Sequence, residues 1–158
     1  MEEKSAEFIE FKDTGLDIKG LISARIVPNG TISIFLALGP EGNRGNDCGL
    51  TMDANGVMAL LRFVGRARLI STTMGGDVEH IGSARYLTSE RDDERLVDTV
   101  GNITVQALKA RVRLVVRFDP RSEQEDFTMT LDATSAKRLN AMLDRIASKM
   151  TRERLEPL

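Results

Sequence analysis

A chain of 158 residues, 41% apolar and 29% charged, has the composition of a globular protein with one sizeable core, which excludes a disordered or fibrous chain. Its 22 basic and 24 acidic residues leave a formal net charge of −2, so no bulk cationic field draws it to polyanions and any basic surface must be local. A lone cysteine, Cys48, excludes an internal disulfide and fits a reducing compartment.

Met1 to Ala6 is an acidic stretch without the basic-then-apolar pattern of a secretory signal, and is expected to fray. Glu7 to Lys12 is a strand candidate with Phe8 opposite to Ile9 and Phe11. Leu21 to Val27 is a clearer strand, with Ile22, Ala24 and Ile26 on one side and Ser23 and Arg25 on the other. Pro28-Asn29-Gly30 then turns the chain into Thr31 to Leu38. There Ile32, Ile34, Leu36 and Leu38 share one face at the period of two that marks a half-buried strand. The polar loop EGNRGND leads to a short strand through Leu50 and Met52, and to a helix after Asp53 with Val57, Leu60, Leu61 and Val64 on one side.

Arg66 to Met74 reads either as more helix or as a short strand before Gly75-Gly76. Val78 to Leu87 has strand alternation, with Ile81, Ser83, Arg85 and Leu87 on one side and His80, Ala84 and Tyr86 on the other; Gly82 weakens it. Ser89 to Arg95 is charged and is expected to be a loop. Asn102 to Leu108 is a further strand, joined by Lys109-Ala110 to Arg111–Phe118. In that last strand Val112, Leu114, Val116 and Phe118 alternate with Arg111, Arg113, Val115 and Arg117. After the loop from Arg121 to Glu125 a strand through Phe127, Met129 and Leu131 returns beside it. Asp132 is placed to cap a helix, along which Ala136, Leu139, Leu143, Ile146 and Met150 form one stripe. The tail from Thr151 to Leu158 has little to hold it.

The second half echoes the first. Gly39-Pro40 aligns with Asp119-Pro120, Leu50-Thr51-Met52-Asp53-Ala54 with Met129-Thr130-Leu131-Asp132-Ala133, and Leu60 and Arg66 with Leu139 and Arg145. The expectation is an α+β domain of two tandem ββββα-like repeats, about 7–66 and about 78–150, with antiparallel sheets and two packed helices. Convergence on a common strand–strand–helix pattern is the alternative to duplication.

The pieces ISIFLALGPEGNRGNDCGLTMDANGVMALLRFV and VRLVVRFDPRSEQEDFTMTLDATSAKRLNAMLDRI resemble the C-terminal domain of the transcriptional coactivator positive cofactor four. Their tandem arrangement is similar to that of the Whirly proteins. The resemblance implies a single-stranded nucleic-acid binder, an accessory of transcription or replication, whose curved sheets carry the strand and whose subunits assemble into oligomers.

Binding of single strands combines cationic grooves with aromatic platforms. Arg111, Arg113 and Arg117 share one strand face without an interleaved acid and are the candidates for phosphate. Phe35, opposite to Ile34 and Leu36, is the first stacking candidate and Tyr86 the second, with Arg25 in support. With only six Phe and one Tyr, a protein-interaction module, regulatory or inhibitory, is the competing reading. An enzyme is not expected. His80 is the only histidine, no nucleophile motif surrounds it, and no paired-cysteine metal spacing exists. The glycine-rich loop with Arg44 lacks the Lys-Ser or Lys-Thr end of a phosphate loop. The partners expected are therefore single-stranded nucleic acid, DNA ahead of RNA, a protein, or further copies of the chain. No cofactor, metal or membrane is expected, and the location is cytoplasmic, or nuclear if the source has a nucleus.

Overall fold

Every second side chain is buried in each of the first four strands, Glu7–Asp13 (β1), Ile18–Ile26 (β2), Ile32–Leu38 (β3) and Asp47–Met52 (β4). This is what a sheet with one covered face requires. The computed structural model describes residues 7–28, 30–39, 47–91, 96–98, 100–118 and 125–155. After Ala54–Ser71 (α1) come Glu79–Tyr86 (β5), Thr88–Arg91 (β6), Leu96–Asp98 (β7), Gly101–Leu108 (β8), Arg111–Arg117 (β9), Phe127–Asp132 (β10) and Ala133–Leu155 (α2). One antiparallel sheet has the order β1-β2-β3-β4-β6-β7 and the other β10-β9-β8-β5. The fold is α+β, two antiparallel sheets with two helices.

Each helix is capped by the aspartate that precedes it. Asp53 Oδ1 accepts from the Gly56 amide at 2.9 Å and Asp132 Oδ1 from the Ser135 amide at 2.8 Å, satisfying one free N–H of each first turn. α1 leaves the strands it follows, and α2 reaches beyond its own. α1 crosses to pack on β5, β8 and β9, while α2 packs on β1 and β2 as well as β9 and β10, and the two helices pack on each other. One continuous core results, running from Ile9 and Ile22 through Leu60 and Val64 to Leu139, Leu143 and Ile146.

Parallels between the halves extend to single residues. Gly20 lies opposite Phe11 and Gly101 opposite Tyr86. A side chain on either glycine would collide with the facing ring, so in both places the aromatic lies over a glycine. The β2–β3 turn has Gly30 at φ 90° and the β8–β9 turn has Ala110 at φ 60°, a left-handed position that is costly without glycine. A backbone bond from Ala110 N to Ser71 O, 3.0 Å, fixes that turn on the end of α1.

One open reading is resolved and three expectations need correction. Arg66–Ser71 is helix, because Ala67 and Ser71 continue the buried stripe and the hydroxyls of Ser71, Thr72 and Thr73 close its end on the carbonyls of Arg68, Leu69 and Ile70. Residues 88–91 form a strand, not a loop; charge hid a segment whose backbone pairs with Gly49–Thr51, and with β7 it gives the second half two strands beyond the expected four. α2 runs to Leu155, so the tail expected from Thr151 is helical that far. Lastly, a bulge between His80 and Gly82 puts His80 on the Ser83 and Arg85 side, opposite to strict alternation. Gly82 permits it, because Phe63 fills the space a side chain would need. Residues 1–6, 29, 40–46, 92–95, 99, 119–124 and 156–158 lie outside the described residues, and with them the aligned Pro40 and Asp119-Pro120, Arg44 and Asn29.

The two sheets are joined at a carboxylate that sequence patterning did not single out. Asp13 is 1% exposed; Oδ1 accepts from the amides of Gly15 and Leu16 at 2.8 and 2.7 Å, and Oδ2 from Thr130 N at 2.8 Å. Thr14 N bonds to Thr130 O at 3.0 Å, so the β1–β2 turn closes the free edge of β10. Asp13→Ala strands a buried β10 amide, whereas the two turn amides can find water, and stability should fall by about 1–3 kcal/mol. Urea denaturation checks this; an unchanged midpoint would mean that the edge is held by other bonds.

Candidate nucleic-acid interface

Residues of β5, β8, β9 and β10 that point away from α1 line up in rows across the strands. One row is His80, Gln106, Arg113 and Thr130; the next is Ser83, Thr104, Val115 and Thr128; a third is Arg85, Asn102 and Arg117. Arg111 lies opposite Asp132 at the far end. Four arginines, Arg85, Arg111, Arg113 and Arg117, therefore share a face with hydroxyls and amides, a donor-rich surface suited to phosphate oxygens.

Burial differs along this face. Arg85 and Arg117 are exposed, Arg111 and Arg113 half-buried, and between them Thr104, Thr130 and Val115 are almost covered, at 3%, 4% and 6% exposure. Arginine stems lie along such surfaces while their heads reach water. Ser83 Oγ and Thr104 Oγ1 share a bond of 3.0 Å. Arg113 donates from Nη1 to Gln106 Oε1 at a long 3.4 Å, and its Nε is buried without a partner. Among the described residues Arg85, Arg111, Arg113 and Arg117 have no ion pair. Asp132, facing Arg111, spends Oδ1 on the cap of α2. Elsewhere Arg145 pairs with Glu7 at 2.7 Å and Lys12 with Asp17 at 2.8 Å. That hydrogen bond, and then the charge of Asp17, hold the Lys12 ammonium above its usual range.

Phe35 and Arg25 stand on the other sheet. Arg25 is exposed in the row Arg25, Ser33, Thr51 and Thr88. Phe35 is 39% exposed in the adjoining row, Phe8, Ser23, Phe35 and Gly49. Tyr86 must be withdrawn as a stacking residue. It is fully buried, its hydroxyl donates to Arg117 O at 2.9 Å, and its ring lies on Gly101, so it props the arginine strand from beneath.

Two residues of these faces were missed. Phe8, 64% exposed, already stood opposite to Ile9 and Phe11 in the sequence. Arg85 stands on a strand face in the sequence but joins the β9 arginines only through pairing across β8, which aligns it with Asn102 and Arg117. The faces meet where β5 passes into β6: Leu87 is the single residue between them, and its amide bonds to Thr51 O at 2.8 Å.

A cavity of ≈ 400 Å³ between α1, the β8–β9 turn and the start of α2 is lined by Arg68, Ser71, Thr72 and Lys109 among others. Arg68 is engaged with Asn140 at 2.8 Å, and both hydroxyls bond within α1. Among the described residues no group of three or more metal ligands gathers. Among the described residues no helix is long and apolar enough to cross a membrane. Compared with known proteins, the chain matches no family model and no curated relative.

Proposed function

We propose that this chain binds single-stranded nucleic acid, DNA ahead of RNA, along its outer sheet faces. The observation that carries the reading is the cluster Arg85, Arg111, Arg113 and Arg117, without an ion pair among the described residues, on one face of a chain whose formal charge is −2. Arginines left without carboxylates offer fork-shaped donors to phosphates. The resemblance to Whirly-type chains points the same way. Transcription or replication accessory work and assembly into oligomers belong to the proposal.

The deciding measurement is an anisotropy titration of single-stranded and duplex oligonucleotides at several salt concentrations. If all four arginines meet phosphates, log affinity for a single strand should fall with log salt at a slope of about −3, and Arg117→Ala should make that slope shallower by about 0.7. Absence of salt-dependent binding would remove the reading. What then remains is a protein-interaction module on the β1–β4 face, which the exposure of Phe8 and Phe35 favours.

A further inference from the structure

Phe8 and Phe35 are the exposed aromatics of one cross-strand row, with Ser23 of β2 between them. Ser23 is too small to fill the gap. Around Phe35 the same-face neighbours are also small: Gly49 across on β4, and Ser33 and Ala37 along β3. Phe35 therefore stands above a floor of short side chains, while Glu10 follows Phe8 on the same face of β1. Two strand spacings separate β1 from β3, roughly 10 Å, and bases in a stack rise by about 3.4 Å each. The gap thus has room for two stacked bases between the rings. Arg25, exposed and without an ion pair among the described residues, lies one row away. The row of Arg25 continues through Ser33, Thr51 and Thr88 to the β5–β6 corner, beyond which Arg85 begins the arginine face.

We infer that Phe8 and Phe35 form a base-stacking cleft that takes unpaired bases of the strand whose phosphates lie on the arginines. The inference rests on the reading proposed above and adds Phe8, a second platform, and a path that turns the corner between the sheets. A cleft with flat walls and a floor of hydroxyl and methyl groups selects unpaired bases over duplex, where no base face is free, and tolerates any base because each has a π-face.

The test is anisotropy with a fluorescein-labelled oligo(dT) of about twelve nucleotides, inside the range of such sites, beside a probe of equal length with abasic residues at its centre. Phe8→Ala and Phe35→Ala should each weaken oligo(dT) binding about five- to hundredfold with an unchanged salt slope. Phe8→Trp should retain affinity and Phe8→Leu should not. On the abasic probe, wild type and Phe8→Ala should bind alike. Both side chains are exposed, so the fold is spared. The cleft is refuted if Phe8→Ala stays within twofold of wild type on oligo(dT) that Arg117→Ala weakens, or if its loss persists on the abasic probe. A change of sedimentation mass in Phe8→Ala with nucleic-acid binding intact would assign the face to a protein contact and equally refute it. Failure of wild type to hold oligo(dT) at all would overturn the underlying reading and this one with it.

Discussion

Leu143→Ala should lower the stability of the chain by about 2–5 kcal/mol, among the largest effects a single truncation can have. Leu143 is 1% exposed and belongs to the continuous core, on a helix that touches α1 and strands of both sheets. Its removal leaves a hole that rigid elements on several sides cannot collapse to fill, so the cavity adds to the lost transfer energy. For a chain of this length the midpoint of thermal unfolding should drop by about 5–20 °C. Leu143→Met, which conserves volume, should cost less than about 1.5 kcal/mol, and Leu69→Ala, at a side chain 73% exposed on α1, about 0.5 kcal/mol or less. Equal melts for Leu143→Ala and Leu69→Ala would mean that α2 is not the joint between the sheets.

Leu143 is legible in the sequence because helical spacing is a local property. The stripe Ala136, Leu139, Leu143, Ile146 and Met150 is buried as the pattern required, and the alternation in β2, β3 and β9 survives for the same reason. What local pattern cannot carry is the partner. Nothing in the residues of α1 says that it leaves its own strands for β5 and β8. Likewise nothing around Asp13 announces a carboxylate turned inward, because its partners include Thr130, more than a hundred positions away. The bulge at Gly82 is legible only from Phe63, which removes the option of a side chain there.

The same distinction sorts the candidate site. Arg111, Arg113 and Arg117 were found together because they share one strand, and Arg85 was missed because only pairing across β8 joins it to them. Tyr86 failed as a candidate because its exposure depended on a partner strand: Gly101, opposite, lets the ring sink where another residue would have held it out. Phe8 and Phe35 are two strands apart, so their alignment is a fact of register that no window along the chain contains.

Reversing two exposed charges, Arg85→Glu with Arg117→Glu, should weaken single-strand binding on the order of a hundredfold at about 0.1 M salt. Each phosphate contact to a single strand releases counterions with a salt exponent of about 0.7, which over one decade of salt is worth about fivefold, and reversal adds repulsion to each loss. The pair is chosen because both side chains are exposed, whereas Arg113 has a buried Nε and a carboxylate in its place would confound binding with folding. Arg85 and Arg117 flank Asn102 in one row, so the two substitutions act on one segment of the strand. The melt should stay near that of wild type while the salt slope becomes shallower by at least about 1.4. A double variant that keeps full affinity with its salt slope intact would leave the arginine face as a solvated surface, and would move the search for a partner to the face that carries Phe8 and Phe35.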